Sequence, residues 1–195
     1  MPTVTALRED RRGRVAVELD GRPWRVLPAD VVVRAGVVQG RALDRPALRL
    51  LRRELRRDEA VRKATRVLRT RDVSATRLEQ RLTRASVAPA AAAESLRALT
   101  AAGIVDDERL AHNRAGTLAE RGYGDAAIRH RLAQEALSSE LIEEAMARLE
   151  PERERAKRLI ERRGPGRRTS RYLAGRGFGE EAVEAALGAG FGQEA

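Results

Sequence analysis

The sequence predicts a mainly α protein in which tandem three-helix units form a curved, elongated array, preceded by a small N-terminal β-hairpin region. Three observations carry that prediction. The first is an apolar spacing that occurs three times. From Gly124 it steps by four to Ile128, four to Leu132, five to Leu137, five to Ile142, four to Met146 and three to Leu149. Leu78, Leu82, Val87, Ala92, Leu96 and Leu99 repeat those steps from Ser74, and Leu173, Phe178, Val183 and Leu187 form a third copy with Thr169 where Ile128 stands. Repetition in register is the signature of a stacked array. The second observation is the period itself: fours and threes are helical steps, and each five falls over a turn that ends one helix and starts the next. The third is a strand-like alternation confined to the first 28 residues.

In that N-terminal stretch Val15, Val17 and Leu19 alternate with Ala16 and Glu18, Asp20-Gly21 follows, and then Trp24 and Val26. Asp-Gly tolerates the positive φ angles of a two-residue primed turn, so a hairpin is expected with Val15, Val17, Leu19, Trp24 and Val26 on one buried face. Val4 and Leu7 suit a third strand, and Trp24 reads as a core anchor. A short helix over Pro28 to Gly36 and a turn leading to the N-cap candidate Asp44 complete a region spanning 1–45.

A helix is expected from about Pro46 to Thr70, with a break near Arg57 and Asp58 separating a linker helix, 46–57, from the first three-helix unit, 58–104. The run Arg52, Arg53, Glu54, Arg56, Arg57 reads as a solvated linker face or as a basic contact surface, the mixed signs favouring solvent. Units two and three occupy 105–150 and 151–190, and a tail covers 191–195. Their starts share a device in which an apolar residue precedes a cap and meets the fourth helical position: Val73, Ser74 and Leu78; Val105, Asp106 and Leu110; Tyr123, Gly124 and Ile128. Short helices of this kind are marginal alone and need their apolar stripes buried against one another.

Composition narrows the function. Among 195 residues, 39 are basic and 29 acidic, a formal net charge of +10, so an anionic partner is expected. Almost every basic residue is Arg; Lys occurs only at 63 and 157. The excess is steepest from Pro151 to Phe178, where ten basic residues face three acidic ones. With no cysteine there is no disulfide, thiolate metal site or thiol nucleophile. No signal-like or membrane-spanning apolar run occurs, so a cytoplasmic protein that does not contact membrane is expected.

The remaining motifs read as structure. Gly122 and Gly124 around Tyr123, and Gly175, Gly177 and Gly179 around Phe178, sit at helix–helix turns; no GxxxxGK[ST] phosphate loop is present. Asp106, Asp107 and Glu108 stand at a helix start, where carboxylates cap. His112 and His130 lie in different helices with no nucleophile or carboxylate partner to assign. No catalytic constellation and no cofactor or metal site emerges.

Gly122, Tyr123 and Gly124, the acidic entry Asp106-Asp107 and the helix-rich basic tail resemble the RecX family of regulatory proteins, over about Asp58 to Leu187. The N-terminal hairpin resembles extensions on some members. The resemblance implies a non-enzymatic modulator that lies in the helical groove of the RecA recombinase filament and usually inhibits it. A monomer is expected, with single- and double-stranded DNA as further partners for the Arg-rich tail. Candidate filament- or DNA-binding residues are Arg121, Tyr123, Arg129, Arg131, Arg162, Arg163, Arg167, Arg168, Arg171 and Arg176. Thr169 and Pro165-Gly166 depart from the expected pattern and put the packing of the third unit's middle helix in question. An autonomous DNA-binding protein using Arg-rich three-helix units is the alternative.

Overall fold

A computed structural model describes residues 1–191. The fold is mainly α, with ten helices and one small antiparallel sheet among the described residues. The described residues divide into two compact units, one made of residues 1–70 and 79–101, the other of 71–78 and 102–191.

In the first unit, β1 (Val4–Glu9), β2 (Arg14–Leu19) and β3 (Arg22–Pro28) pair in the order β1-β2-β3. Asp20 and Gly21 both take positive φ, 49° and 78°, as the primed turn requires. The register departs from the expected one. Val17 pairs with Arg25 but Glu18 pairs with Pro23, so Trp24 is an extra residue in β3. Because side chains alternate strictly along a strand, one extra residue reverses the facing of everything beyond it. Val26 therefore pairs with Ala16 and is exposed, and Leu27, opposite Val15, takes the core place expected for Val26. Trp24 is half-buried against the core built by Val4, Val15, Val17 and Leu27 with helices α1 (Ala29–Arg34) and α2 (Arg45–Leu68). Asp44 caps α2 as its sequence position suggests, accepting from Ala47 N at 2.7 Å.

The expected break near Asp58 does not occur: α2 runs unbroken for 24 residues. The change of apolar phase is carried instead by a buried carboxylate, Glu54, which pairs with Arg34 at 3.0 Å and lies within 4 Å of Arg53 and Arg57. The i,i+4 pairs Asp58–Arg62 and Glu59–Lys63 then brace the following turns.

Helix α3 (Ala75–Arg84) contains the boundary between the compact units, and α4 (Pro89–Ala101) completes the first one. The second unit holds α5 (Asp107–Glu120), α6 (Asp125–Gln134), α7 (Ser139–Ala147), α8 (Glu152–Arg163), α9 (Arg167–Gly175) and α10 (Glu180–Phe191). Beyond Phe191, the expected tail lies outside the described residues.

The three repeats are visible in backbone detail. Each turn between a second and a third helix has one residue with positive φ at the same register: Ser86 at 57°, Ala136 at 57° and Gly177 at 80°. One residue earlier, a carbonyl is always taken. Glu135 O accepts from the Ser74 hydroxyl and Arg176 O accepts from Gly124 N at 2.9 Å. In the first repeat the equivalent carbonyl, Ala85 O, accepts from Lys63 Nζ at 2.9 Å. Carboxylates complete the joints: Asp107 Oδ1 accepts from Ala75 N at 2.8 Å, and Glu152 accepts from Asp125 N at 2.6 Å and Gly179 N at 3.2 Å. The acidic starts of α5 and α8 thus cap the middle helix of the preceding repeat, and Asp106 caps α5 itself, bonding Arg109 N at 2.9 Å.

Leu78, Ile128, Leu132 and Leu173 are fully buried, as the repeated spacing requires. Thr169 is buried at the register position of Ile128, and its hydroxyl donates to Gly164 O at 2.7 Å, so a polar side chain is accommodated without an unpaired group. Arg155, counted in sequence with the basic tail, is only 4% exposed. It donates to Glu150 O at 3.0 Å and Tyr123 O at 2.8 Å and pairs with the Asp125 carboxylate. It holds α8 to the start of α6 and adds nothing to the surface charge. No helix among the described residues is long and apolar enough to cross a membrane, and no group of three or more His, Cys, Asp or Glu there could hold a metal ion.

Candidate interaction site

The second compact unit carries a row of alternating cations and aromatic rings. Tyr123 leaves the end of α5, its N–H bonded to Leu118 O at 3.1 Å and its carbonyl held by Arg155. Two turns into α6, Arg131 lies over the Tyr123 ring, 4.3 Å from its centroid. Arg176, at the end of α9, approaches the same ring at 4.6 Å and also stands 5.2 Å from Tyr172. Arg163, ending α8, covers Tyr172 at 3.9 Å. The order along the row is Arg131, Tyr123, Arg176, Tyr172, Arg163, and it uses both tyrosines of the chain.

Its chemistry follows from what pairs and what does not. Each cation–ring contact stabilises by about 0.5–1 kcal/mol at an exposed site and leaves the guanidinium charge uncompensated. Among the described residues, Arg121, Arg131, Arg163 and Arg176 have no carboxylate within 4 Å. The row therefore presents positive charges already ordered before an anion arrives, which lowers the entropy lost on binding. Because Tyr123 is occupied by two guanidinium groups, its ring acts as a brace for them and is not a free stacking platform. Arg176 Nη1 also donates to Arg121 O at 3.4 Å. Beside the row, Arg114, Arg121 and Arg131 line a cleft of about 190 Å³ that contains one acidic residue, Glu135.

The other sequence candidates stand apart from this row. Arg129 is committed to Glu143, bonding its two oxygens at 2.8 and 3.1 Å, with Asp125 at 3.6 Å. That hydrogen bond raises the Arg129 pKa and lowers that of Glu143 below the usual carboxylate value. Its charge is internally matched. Arg162 lines a separate cleft of about 240 Å³ with Gly122, Arg158 and Leu159. Arg167, Arg168 and Arg171 are exposed in the first half of α9, opposite buried Thr169 and Leu173, as the helical period predicts. Arg171 shares a groove with Glu180 and Glu184.

Tyr172 and Arg114 were not singled out in sequence. Tyr172 precedes Leu173 as Arg131 precedes Leu132, so the repeat register contained the signal: equivalent positions carry a ring in one repeat and a cation in the other.

Residues 106–146 match the family model for the second three-helix domain of RecX. That segment is similar to the RecX domain over about a fifth of the chain. Among solved structures, a crystal structure of regulatory protein RecX is similar at 20% identity with a TM-score of 0.79, covering 94% of this chain and 98% of that one. RecX from Lactobacillus salivarius is similar at 15% identity with a TM-score of 0.60, covering 69% of this chain and 96% of that one. These likenesses show that the fold is that of RecX. No curated protein sequence matches the chain. The matched segment supplies Arg121, Tyr123 and Arg131, and the repeat after it supplies Arg163, Tyr172 and Arg176.

Proposed function

We propose that this protein is a non-enzymatic, RecX-type regulator of homologous recombination and DNA repair that binds the RecA nucleoprotein filament in its helical groove and inhibits it. The observation that carries the reading is the braced row of uncompensated arginines, built jointly by the segment similar to the second RecX domain and the following repeat. A filament of recombinase on DNA offers both acidic protein surface and phosphate, and a pre-ordered cationic row suits either. In this reading the repeats at 105–150 and 151–190 face the filament, the segments 1–45, 46–57 and 58–104 are accessory, and the protein acts as a cytoplasmic monomer. Arg162, Arg167, Arg168 and Arg171 extend the positive surface around the row.

The test measures recombinase ATPase and filament length on single-stranded DNA with and without the protein. Wild type should lower both. Arg131, Arg163 and Arg176 replaced together by Glu should abolish the effect, most clearly at low salt where screening is least, while helicity is retained. Replacing Arg167, Arg168 and Arg171 by Glu should weaken it less. A wild-type protein without effect on the recombinase, but with tight binding to naked DNA, would favour the autonomous DNA-binding reading.

A further inference from the structure

A second basic surface lies in the first compact unit, on residues that play no part in the row above. Along α2, Arg45, Arg49, Arg52 and Arg56 follow steps of four, three and four, which place them on one helical face, with Arg53 beside them. All five are exposed. Arg49, Arg52, Arg53 and Arg56 line a cleft of about 330 Å³ whose other wall is the start of α4, with Ala88, Ala90 and Ala91.

The acids near this face are spoken for. Glu94, the one acidic residue in the cleft, pairs with Arg57 at 3.3 Å, and Glu54 is 3% exposed and turned to Arg34, Arg53 and Arg57. Among the described residues, Arg45, Arg49, Arg52 and Arg56 have no carboxylate within 4 Å. The first turn of α4 has no acidic side chain, so the positive end of its dipole adds to the arginines. The run that reads in sequence as mixed and solvated is divided by the helix: its acid is buried, and its arginines are left on the outside.

We propose that this face is a binding site for the phosphodiester backbone of a nucleic acid, distinct from the row on the second unit. An acidic protein fits it less well. Stable protein interfaces centre on buried aromatic or aliphatic anchors, and the wall here offers only alanine methyls. From Arg49 to Arg56 the helix advances about 10 Å, comparable to three phosphate-to-phosphate steps along one strand at about 3.4 Å of axial rise each. No Asn, Gln or aromatic side chain lines the cleft to pair with or stack on a base, and arginine forks match phosphate oxygens, so we assign the site to the backbone.

The test uses the full chain and a fluorescein-labelled, mixed-sequence single-stranded oligonucleotide, with no recombinase present, so that it is independent of filament binding. Anisotropy titrations across a salt series give the affinity and its salt slope. With Arg49, Arg52 and Arg56 changed together to Gln, the slope should become shallower by about 2, since each phosphate contact on a single strand contributes about 0.7, and affinity at low salt should fall at least tenfold. The corresponding triple change to Lys should retain most of the slope. A Gln variant that melts like wild type and keeps wild-type affinity and slope would overturn the proposal. So would a preference of more than tenfold among oligonucleotides of different sequence that this variant loses, since backbone contacts carry no sequence. Binding of polyglutamate that needs these arginines, with oligonucleotide binding that does not, would likewise overturn it in favour of an acidic protein. If the triple Gln variant fails to fold, Arg52→Glu alone should weaken oligonucleotide binding, and its failure to do so would have the same force.

Discussion

Replacing Gly124 by Ala tests the joint between the second and third repeats. The backbone at Gly124, φ −80° and ψ 170°, is open to any residue, so the change carries no conformational penalty and by itself favours folding by about 0.4–1 kcal/mol through the unfolded chain. The obstacle is steric. A Cβ at this position would stand closer than 3.0 Å to Phe178 N and to the carbonyl of Gly177, backbone atoms that cannot rotate away. Reaching ordinary van der Waals separation requires the start of α6 to retreat from the α9–α10 turn by about 1 Å. That stretches Gly124 N to Arg176 O, now 2.9 Å, and Ala126 N to Gly177 O, now 3.1 Å, beyond hydrogen-bond range. Two such bonds contribute about 0.5–1.5 kcal/mol each, and overpacking costs about 1–3 kcal/mol more. After the backbone gain, Gly124→Ala should destabilise by about 3 kcal/mol. Gly116, inside α5 with open space around it, is the control: there the same substitution should stabilise by about 0.5–1 kcal/mol. Urea unfolding followed by circular dichroism reads both. A Gly124→Ala protein as stable as wild type, or shifted in the same direction as Gly116→Ala, would refute the joint as described.

Two further outcomes follow from buried and paired charges. Arg155→Ala leaves two carbonyls and the Asp125 carboxylate without their donor and should cost about 3 kcal/mol in urea unfolding, and Arg155→Lys should recover little because one ammonium cannot reproduce the planar fork. The Glu143 carboxyl, held down by its hydrogen bond from Arg129, should titrate by NMR below the usual carboxylate range and return toward it in Arg129→Gln. Since its folded-state pKa is depressed, the pair's stabilising contribution is present above the unfolded pKa and fades as pH falls through the folded one. A Glu143 midpoint insensitive to Arg129→Gln would exclude that pairing in solution.

Most of the fold was legible in the chain because helical repeats write their packing into local spacing. The buried set Leu78, Ile128, Leu132 and Leu173, the caps Asp44 and Asp106, and the Asp20-Gly21 turn all depend on residues within a few positions of one another. Where the reading failed, the deciding contact was distant. The bulge at Trp24, which exposes Val26 and buries Leu27, depends on pairing across two strands. The burial of Glu54 within the unbroken α2 is matched by Arg34, twenty residues away.

The same division holds for the candidate site. Net charge, the concentration of arginine and the repeat register are properties of the sequence alone, and they determine that the protein is a basic helical array suited to an anionic partner. Which arginines remain available is not, because availability depends on what each guanidinium meets in three dimensions. Arg155 is drawn into the core by Asp125 and two carbonyls, Arg129 is neutralised by Glu143, and Arg131, Arg163 and Arg176 rest on Tyr123 and Tyr172, which leave their charge intact. Charge is additive along a chain, but its compensation is set by distances of 3–4 Å between side chains that the sequence places up to tens of residues apart, and only the tertiary structure decides those.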